Sequence, residues 1–225
     1  MKKIMIGNDL ATSCPDIRLQ CIECDVQVEN ARADLWDLMD QKCEELTGSL
    51  KIGDIKDIPA IASSRKAYKA CGKDPARYRL SAEALLRRIV SGKGLYHVSN
   101  VVDLLNVVSI STGFSIGGYD AESIEGDIVM GIGREDEPYE GLGRGGLNIE
   151  GMPVLRDDKG AFGTPTSDSE RTGVRNYTTR FLMVIISYHG EDGLDEAGNM
   201  AISLLKEYAT ASNIETGRIL VERFN

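Results

Sequence analysis

Ten consecutive residues, Gly163 to Thr172 (GTPTSDSERT), contain no large apolar side chain. They nevertheless lie between Val154-Leu155 and the run Phe181 to Ser187 (FLMVIIS), both rich in strand formers. Such runs have the composition and length of buried strands, so the polar segment is expected to be a loop fastened to a rigid core. Its Thr164, Thr166, Ser167, Asp168, Ser169, Glu170, Arg171 and Thr172 can offer donors, acceptors and one fixed positive charge to a small polar ligand. The same side chains also close turns and cap helices by bonding nearby amides. Composition alone leaves both readings open.

The rest of the chain divides unevenly. Residues 17 to 28 alternate well enough for a strand, with an irregularity near Ile22 and Glu23. Ala31, Leu35, Leu38, Met39 and Leu46 recur at helical spacing, with Gly48 placed as a C-terminal cap. Helices follow at about 59 to 70, with Pro59 in the first turn, and from an expected Ser81 cap to near Gly92. Another runs from an expected Asn100 cap to about Thr112, and its apolar content predicts deep burial. Beyond Gly113 the pattern changes: Gly117-Gly118 with Asp120 reads as a turn, 127 to 132 as a strand, and the glycine-rich stretch Gly141 to Gly146 as loop. Strands near 152 to 156 and 180 to 188, a helix at about 194 to 209 and a strand at 218 to 222 complete the chain. Helices come mainly first and a mixed sheet or sandwich second, so the expected class is α+β. With 225 residues, 42% of them hydrophobic, one domain over 1–225 is expected.

The net charge of −9 is distributed asymmetrically. Arg65, Lys66, Lys69, Lys73, Arg77, Arg79, Arg87, Arg88 and Lys93 face only Asp74 and Glu83 within the same segment, a local charge of +7 that leaves −16 elsewhere. A basic stretch on an acidic body marks a docking surface for a polyanion, or else a solvated helix face. The five cysteines are irregularly spaced, which argues against a disulfide framework and for an intracellular chain. Cys21 and Cys24 form a lone CxxC, and with only His97 and His189 to help, no metal site is expected. The start has too few apolar residues for a signal-peptide core and no run is long enough for a membrane span. Gly141 to Gly146 lacks GxGxxG spacing, and neither a P-loop lysine pattern nor a GxSxG elbow occurs. Of the histidines, His97 precedes the apolar helix and is the better placed; His189 is expected at a strand end without a chemical role.

Residues 61 to 187 resemble the B3/B4 domain, the editing module of the phenylalanyl-tRNA synthetase β subunit, and especially its free-standing relatives. The ordered strings that carry the resemblance begin with Arg65-Lys-Ala-Tyr68, Gly72-Lys-Asp-Pro75, Arg77-Tyr-Arg79 and Ser81 to Arg88. They continue through Asn100-Val-Val-Asp103 with Asn106, Gly117-Gly-Tyr-Asp120, Ile124-Glu-Gly126 and Gly163 to Thr172. The resemblance implies an α+β editing fold and hydrolysis, in trans, of the ester linking a wrong amino acid to a tRNA. It implies no cofactor, no metal, no DNA or membrane partner, and a cytoplasmic setting; the oligomeric state stays open. The alternative is an RNA- or amino-acid-binding module on the same fold.

On this reading Thr164, Ser167, Asp168 and Ser169 position water and substrate, and Arg171 orients the loop or a phosphate. Glu140 or Glu150 holds the α-ammonium, while Tyr96, His97, Gly117, Gly118 and Tyr119 shape the pocket. Arg65, Lys66, Lys69, Arg77, Arg79, Arg87 and Arg88 contact the acceptor-stem backbone. Two positions depart from the synthetase module, which usually has arginine where Tyr96 stands and histidine where Gly117 stands, so the amino acid removed is expected to differ.

Overall fold

A computed structural model describes residues 1–221. Its organising element is β9 (Arg180–Ser187), which pairs along its whole length with β2 (Arg18–Asp25) on one side and with β3 (Ser115–Asp120) on the other, both antiparallel. β10 (Ser212–Leu220) joins the far edge of β2, giving the order β10-β2-β9-β3. Phe181, Met183 and Ile185 face one way into a core shared with helices α2 (Ala33–Ser49), α5 (Asn100–Thr112) and α6 (Leu194–Tyr208). Leu182, Val184 and Ile186 face the other way, against a second sheet. Its order is β1 (Ile4–Ile6), β4 (Ile128–Ile132), β7 (Pro153–Asp157) and β8 (Gly160–Gly163), with only β1 and β4 parallel. Burial on both faces explains why the segment 181–186 is a continuous apolar run and not an alternating one. The layers are therefore helices, sheet, sheet, an α+β arrangement.

The CxxC pair sits on β2 and is divided by the pleat. Cys21 lies in the core between the sheets and Cys24 in the core under the helices, as an odd spacing on a strand requires. Burial pushes the Cys21 thiol up to about 12 and that of Cys24 up to about 11. Among the described residues no three His, Cys, Asp or Glu side chains form a cluster that could hold a metal, and no helix is long and apolar enough to cross a membrane.

Several local expectations need correction. Gly117-Gly118 and Asp120 form no turn; they belong to β3, which is buried throughout. Pairing of β2 with β9 is unbroken at Ile22 and Glu23, and the irregularity falls instead in β10, between Ser212 and Glu215. Gly48 lies inside α2, and Leu50 follows the last helical residue. Ser81 is the first residue of α4 (Ser81–Val90), with no side-chain cap before it; its amide donates instead to the Pro165 carbonyl at 2.7 Å. Ser99, not Asn100, caps α5. Asn100 is buried, donating to the carbonyls of Gln27 and Tyr208 and accepting from Glu29 N–H, which ties three chain segments together. The glycine-rich stretch holds a small hairpin, β5 (Glu140–Gly141) with β6 (Gly145–Gly146). β1, β8 and α1 (Asn8–Ser13) are too short to carry a readable period. The expected last strand runs from 212 to 220, and Glu222 lies outside the described residues.

Because β9 is a core strand on both faces, Leu182→Ala should lower unfolding free energy by about 2–5 kcal/mol. Ile52→Ala, at an exposed position, should change it by less than about 0.5 kcal/mol. Urea denaturation of the two variants checks the contrast.

Candidate functional site

The polar segment is built as a tight hairpin continuing β8. Gly163 and Asp168 bridge antiparallel, and Ser169 bridges Gly141 of β5. Thr164 closes the turn: its hydroxyl donates to the Ser167 carbonyl at 2.9 Å and accepts from the amides of Thr166 and Ser167 at 3.2 and 3.0 Å. The Tyr139 hydroxyl also donates to the Ser167 carbonyl, at 2.6 Å, and the hydroxyls of Tyr68 and Thr166 lie 2.9 Å apart. Arg171 grips Asp157 through two bonds of 2.9 and 2.8 Å, with the Asp157 side chain fully buried. The Ser169 and Thr172 hydroxyls are 3.2 Å apart and buried. Thr164, Ser169 and Arg171 are thus committed to holding the loop.

What the hairpin presents is Thr166, Ser167 and Asp168, on the wall of a cavity of about 500 Å3 between α4, α5 and the β3 edge. From α5 come Val101, Val102, Leu105, Asn106 and Ser109, the one-face spacing of a helix. Leu85, Val98, Ile116, Leu142, Val174 and Phe181 make the remaining wall largely apolar, with Arg88, Arg144 and Arg175 also lining it. Asp168 is the one carboxylate among the described lining residues. Removal from water raises its carboxyl to about 7, against the pull of the Tyr119 hydroxyl and the Gly118 amide, which favour the charged form. Part of the residue still faces the cavity.

Glycines make this arrangement possible. A Cβ on Gly117 or on Gly163 would overlap the Tyr119 hydroxyl, so Tyr119 threads its phenol between two bare backbones to reach Asp168. Gly118, on the cavity side, would meet Leu105 Cδ1 at 2.7 Å and the Phe181 ring at 3.1 Å if it carried a Cβ.

Of the residues expected from sequence, Tyr96, Gly118, Ser167, Asp168 and Arg88 line this cavity, with Tyr119 behind Asp168. His97 does not: its ring stacks on Trp36 at 4.5 Å and its Nε2 lies 3.8 Å from Asp40. Gly117 lies on the face of β3 turned away from the cavity, the same face as Tyr119. Glu140, Ser169 and Arg171 line a separate, more polar cleft of about 590 Å3. Glu150 is exposed away from both, its carbonyl taken by Lys73. Neither glutamate can serve the cavity. His189 follows β9, with Nδ1 3.1 Å from the Ser63 hydroxyl and its ring stacked on Phe114. Arg144 and Arg175 are not legible as cavity residues from sequence, because no pattern links a glycine-rich hairpin to a loop thirty residues on.

The basic segment does not form one uniform patch. Arg65 and Arg87 bond the buried Glu83 at 2.8 and 2.9 Å, with Arg79 at 3.9 Å. Lys66 and Lys69 project from α3 (Pro59–Ala70), and Arg77 lies over the Tyr78 ring at 5.4 Å. Lys73 is buried against Asn148. Arg88, next to Arg87 on α4, is turned to the cavity.

Fold and site together define an α+β domain in which a polar hairpin closes a cavity at the junction of helices and sheet edge. The B3/4 domain family model matches residues 63–210, about two thirds of the chain, and the protein belongs to that family. Among solved structures, the crystal structure of an N-terminal fragment of the phenylalanyl-tRNA synthetase β-subunit from Pyrococcus horikoshii is similar, with a TM-score of 0.54 and 15% identity. The match covers 99% of this chain and 52% of the fragment. At that identity the likeness establishes the fold, and the chain spans about half the fragment's length. No curated protein matches.

Gly117→Ala should displace the Tyr119 hydroxyl and cost about 1–3 kcal/mol through overpacking. Thermal unfolding beside wild type measures that loss, and the apparent pKa of Asp168, followed by NMR, should rise as one of its donors withdraws.

Proposed function

We propose that this protein is an aminoacyl-tRNA deacylase that hydrolyses the ester of mischarged tRNA in trans, in the cytoplasm where charging occurs. The observation that carries the reading is Asp168: one carboxyl, raised to about 7, at the wall of an otherwise apolar and arginine-lined cavity. A base titrating near working pH is suited to taking a proton from water as it attacks an ester carbonyl. The same proton then passes to the departing ribose oxygen, giving free amino acid and a tRNA hydroxyl. An aminoacyl ester is already activated, so positioning a water against it supplies much of the acceleration. Ser167 and Thr166 stand beside Asp168 to hold that water or the ester oxygen, and the aliphatic wall takes the amino-acid side chain. Thr164 and Ser169 support the reaction only by fixing the hairpin. Family membership makes a tRNA-related role the natural context.

Incubation with a panel of aminoacyl-tRNAs tests the reading. At least one should be hydrolysed, and Asp168→Asn should lower its rate by about 10²–10⁴ while the fold persists. A base works only when deprotonated, so the wild-type rate should rise with pH through about 7 and level off above it, whereas the Asp168→Asn rate should lack that inflection. Retention of charged tRNA without loss of the amino acid would instead support a binding module, and activity unchanged in Asp168→Asn would remove this carboxylate from the mechanism.

The arginines gathered on Glu83, with Lys66 and Lys69, are the proposed contacts for the acceptor-stem phosphates. tRNA affinity should fall steeply with added salt, and the double variant Lys66→Ala with Lys69→Ala should flatten the log–log slope by about one for each phosphate no longer neutralised. Filter binding across a salt series reads this out.

A further inference from the structure

The cavity mouth carries an aromatic side chain that ester hydrolysis does not use. Tyr96 projects from the connection between α4 and α5 with 68% of its surface exposed. The Arg88 guanidinium covers one face of its ring, 3.9 Å from the centroid, and that degree of exposure leaves the other face to solvent. Nε of Arg88 is buried without a partner among the described residues, although its Nη2 reaches the Lys93 carbonyl at 3.3 Å. Both residues line the cavity that holds Asp168. Arg144 and Arg175 line it too, Arg175 being shared with Glu170 at 2.7 Å, so the lining carries three arginines against one carboxylate. An open aromatic face with a cation pressed against its back, beside two further arginines, is suited to a planar partner that carries negative charge.

We infer that Tyr96, backed by Arg88, is the stacking platform for the unpaired base at the 3′ end of an RNA strand, with Arg88, Arg144 and Arg175 neutralising the adjoining phosphates. This rests on the cavity being the site for an acylated RNA end. If the ester lies at Asp168, the terminal base and the phosphate are one ribose away and must occupy the mouth. Stacking on an aromatic ring tolerates any base because each has a π-face. In a duplex those faces are covered by neighbouring pairs, so the platform selects single-stranded ends.

The test is a thermodynamic cycle with uncharged RNA. A 5′-labelled hairpin with a four-nucleotide 3′ tail ends either in adenosine or in an abasic residue, and anisotropy measures its affinity for wild type, Tyr96→Ala and Tyr96→Trp. Loss of the base should weaken wild-type binding about tenfold, and Tyr96→Ala should weaken binding of the intact tail by a similar factor. The abasic tail should then lose nothing more in Tyr96→Ala, while Tyr96→Trp keeps the preference for the base. An abasic penalty as large in Tyr96→Ala as in wild type, or no penalty in wild type, overturns the inference. Because the probe has no ester, the base preference in a protein that deacylates nothing leaves the platform standing and removes the hydrolase. Deacylation with KM unchanged in Tyr96→Ala removes the platform and leaves the hydrolase.

Discussion

Strand β9 has protein on both faces, and the rest of the molecule is arranged to provide it. Six successive side chains, Phe181 to Ile186, are at most 2% exposed, and burial of each removes about 1.5–3 kcal/mol of unfavourable hydration. Three helices cover one of the strand's faces and a second sheet the other, while β2 and β3 take up its backbone hydrogen bonds on either side. Arg180 at its start is held by Glu23 and Asp25 of β2 and by Glu215 of β10. That cross-strand network joins three strands at the margin of the sheet, where water can still reach the guanidinium. β3 becomes the edge facing the helices, and the candidate site is formed along that edge.

An edge strand leaves alternate amides unpaired. Here the polar hairpin covers them: the Thr172 carbonyl accepts from the Asp120 amide at 2.9 Å, Gly173 bridges Tyr119, and Asp168 meets the Gly118 amide. The hairpin therefore seals a sheet edge while placing a carboxylate at the cavity wall. The carboxylate is held at a cost. Its carboxyl is raised above the usual range, so the native state binds the proton more tightly than the unfolded chain does. Its contribution to stability is greatest below the unfolded value near 3.9 and is lost as pH rises through about 7. Retaining such a group against stability is the pattern of a chemical site more than of a structural turn.

Much of this is readable from the residues. The apolar run at 181–186 announces a buried strand, helical spacing marks α2 to α6, and the composition of Gly163 to Thr172 marks a loop against the core. Gly117-Gly118 misleads because glycine pairs usually signal turns; the local string holds no trace of Tyr119 folding back over one of them and Leu105 over the other. Thr164 shares the hydroxyl chemistry of Ser167, and only pairing geometry shows that Thr164 turns inward to hold the hairpin while Ser167 lines the cavity. His97 stands out by residue type, yet Trp36, far away in sequence, claims its ring. Long-range partners of this kind leave no periodic signature.

Glu83 illustrates how the basic segment can be dense without being self-destructive. Three arginines around one point repel one another, and a carboxylate only 1% exposed beneath them offsets that repulsion while fixing the directions of the guanidinium groups. A buried carboxylate is itself costly to desolvate and is maintained only by such partners, so acid and arginines are mutually dependent. Since α4 carries Glu83, Arg87 and Arg88 within two turns, the helix that anchors this cluster also delivers Arg88 to the cavity. A polyanion held by the outer arginines would then have its free end directed along α4 toward Tyr96. On the proposed reading, charge recognition and entry to the cavity would both depend on the pose of a single ten-residue helix, which is fastened to the polar hairpin by the Ser81 amide on the Pro165 carbonyl.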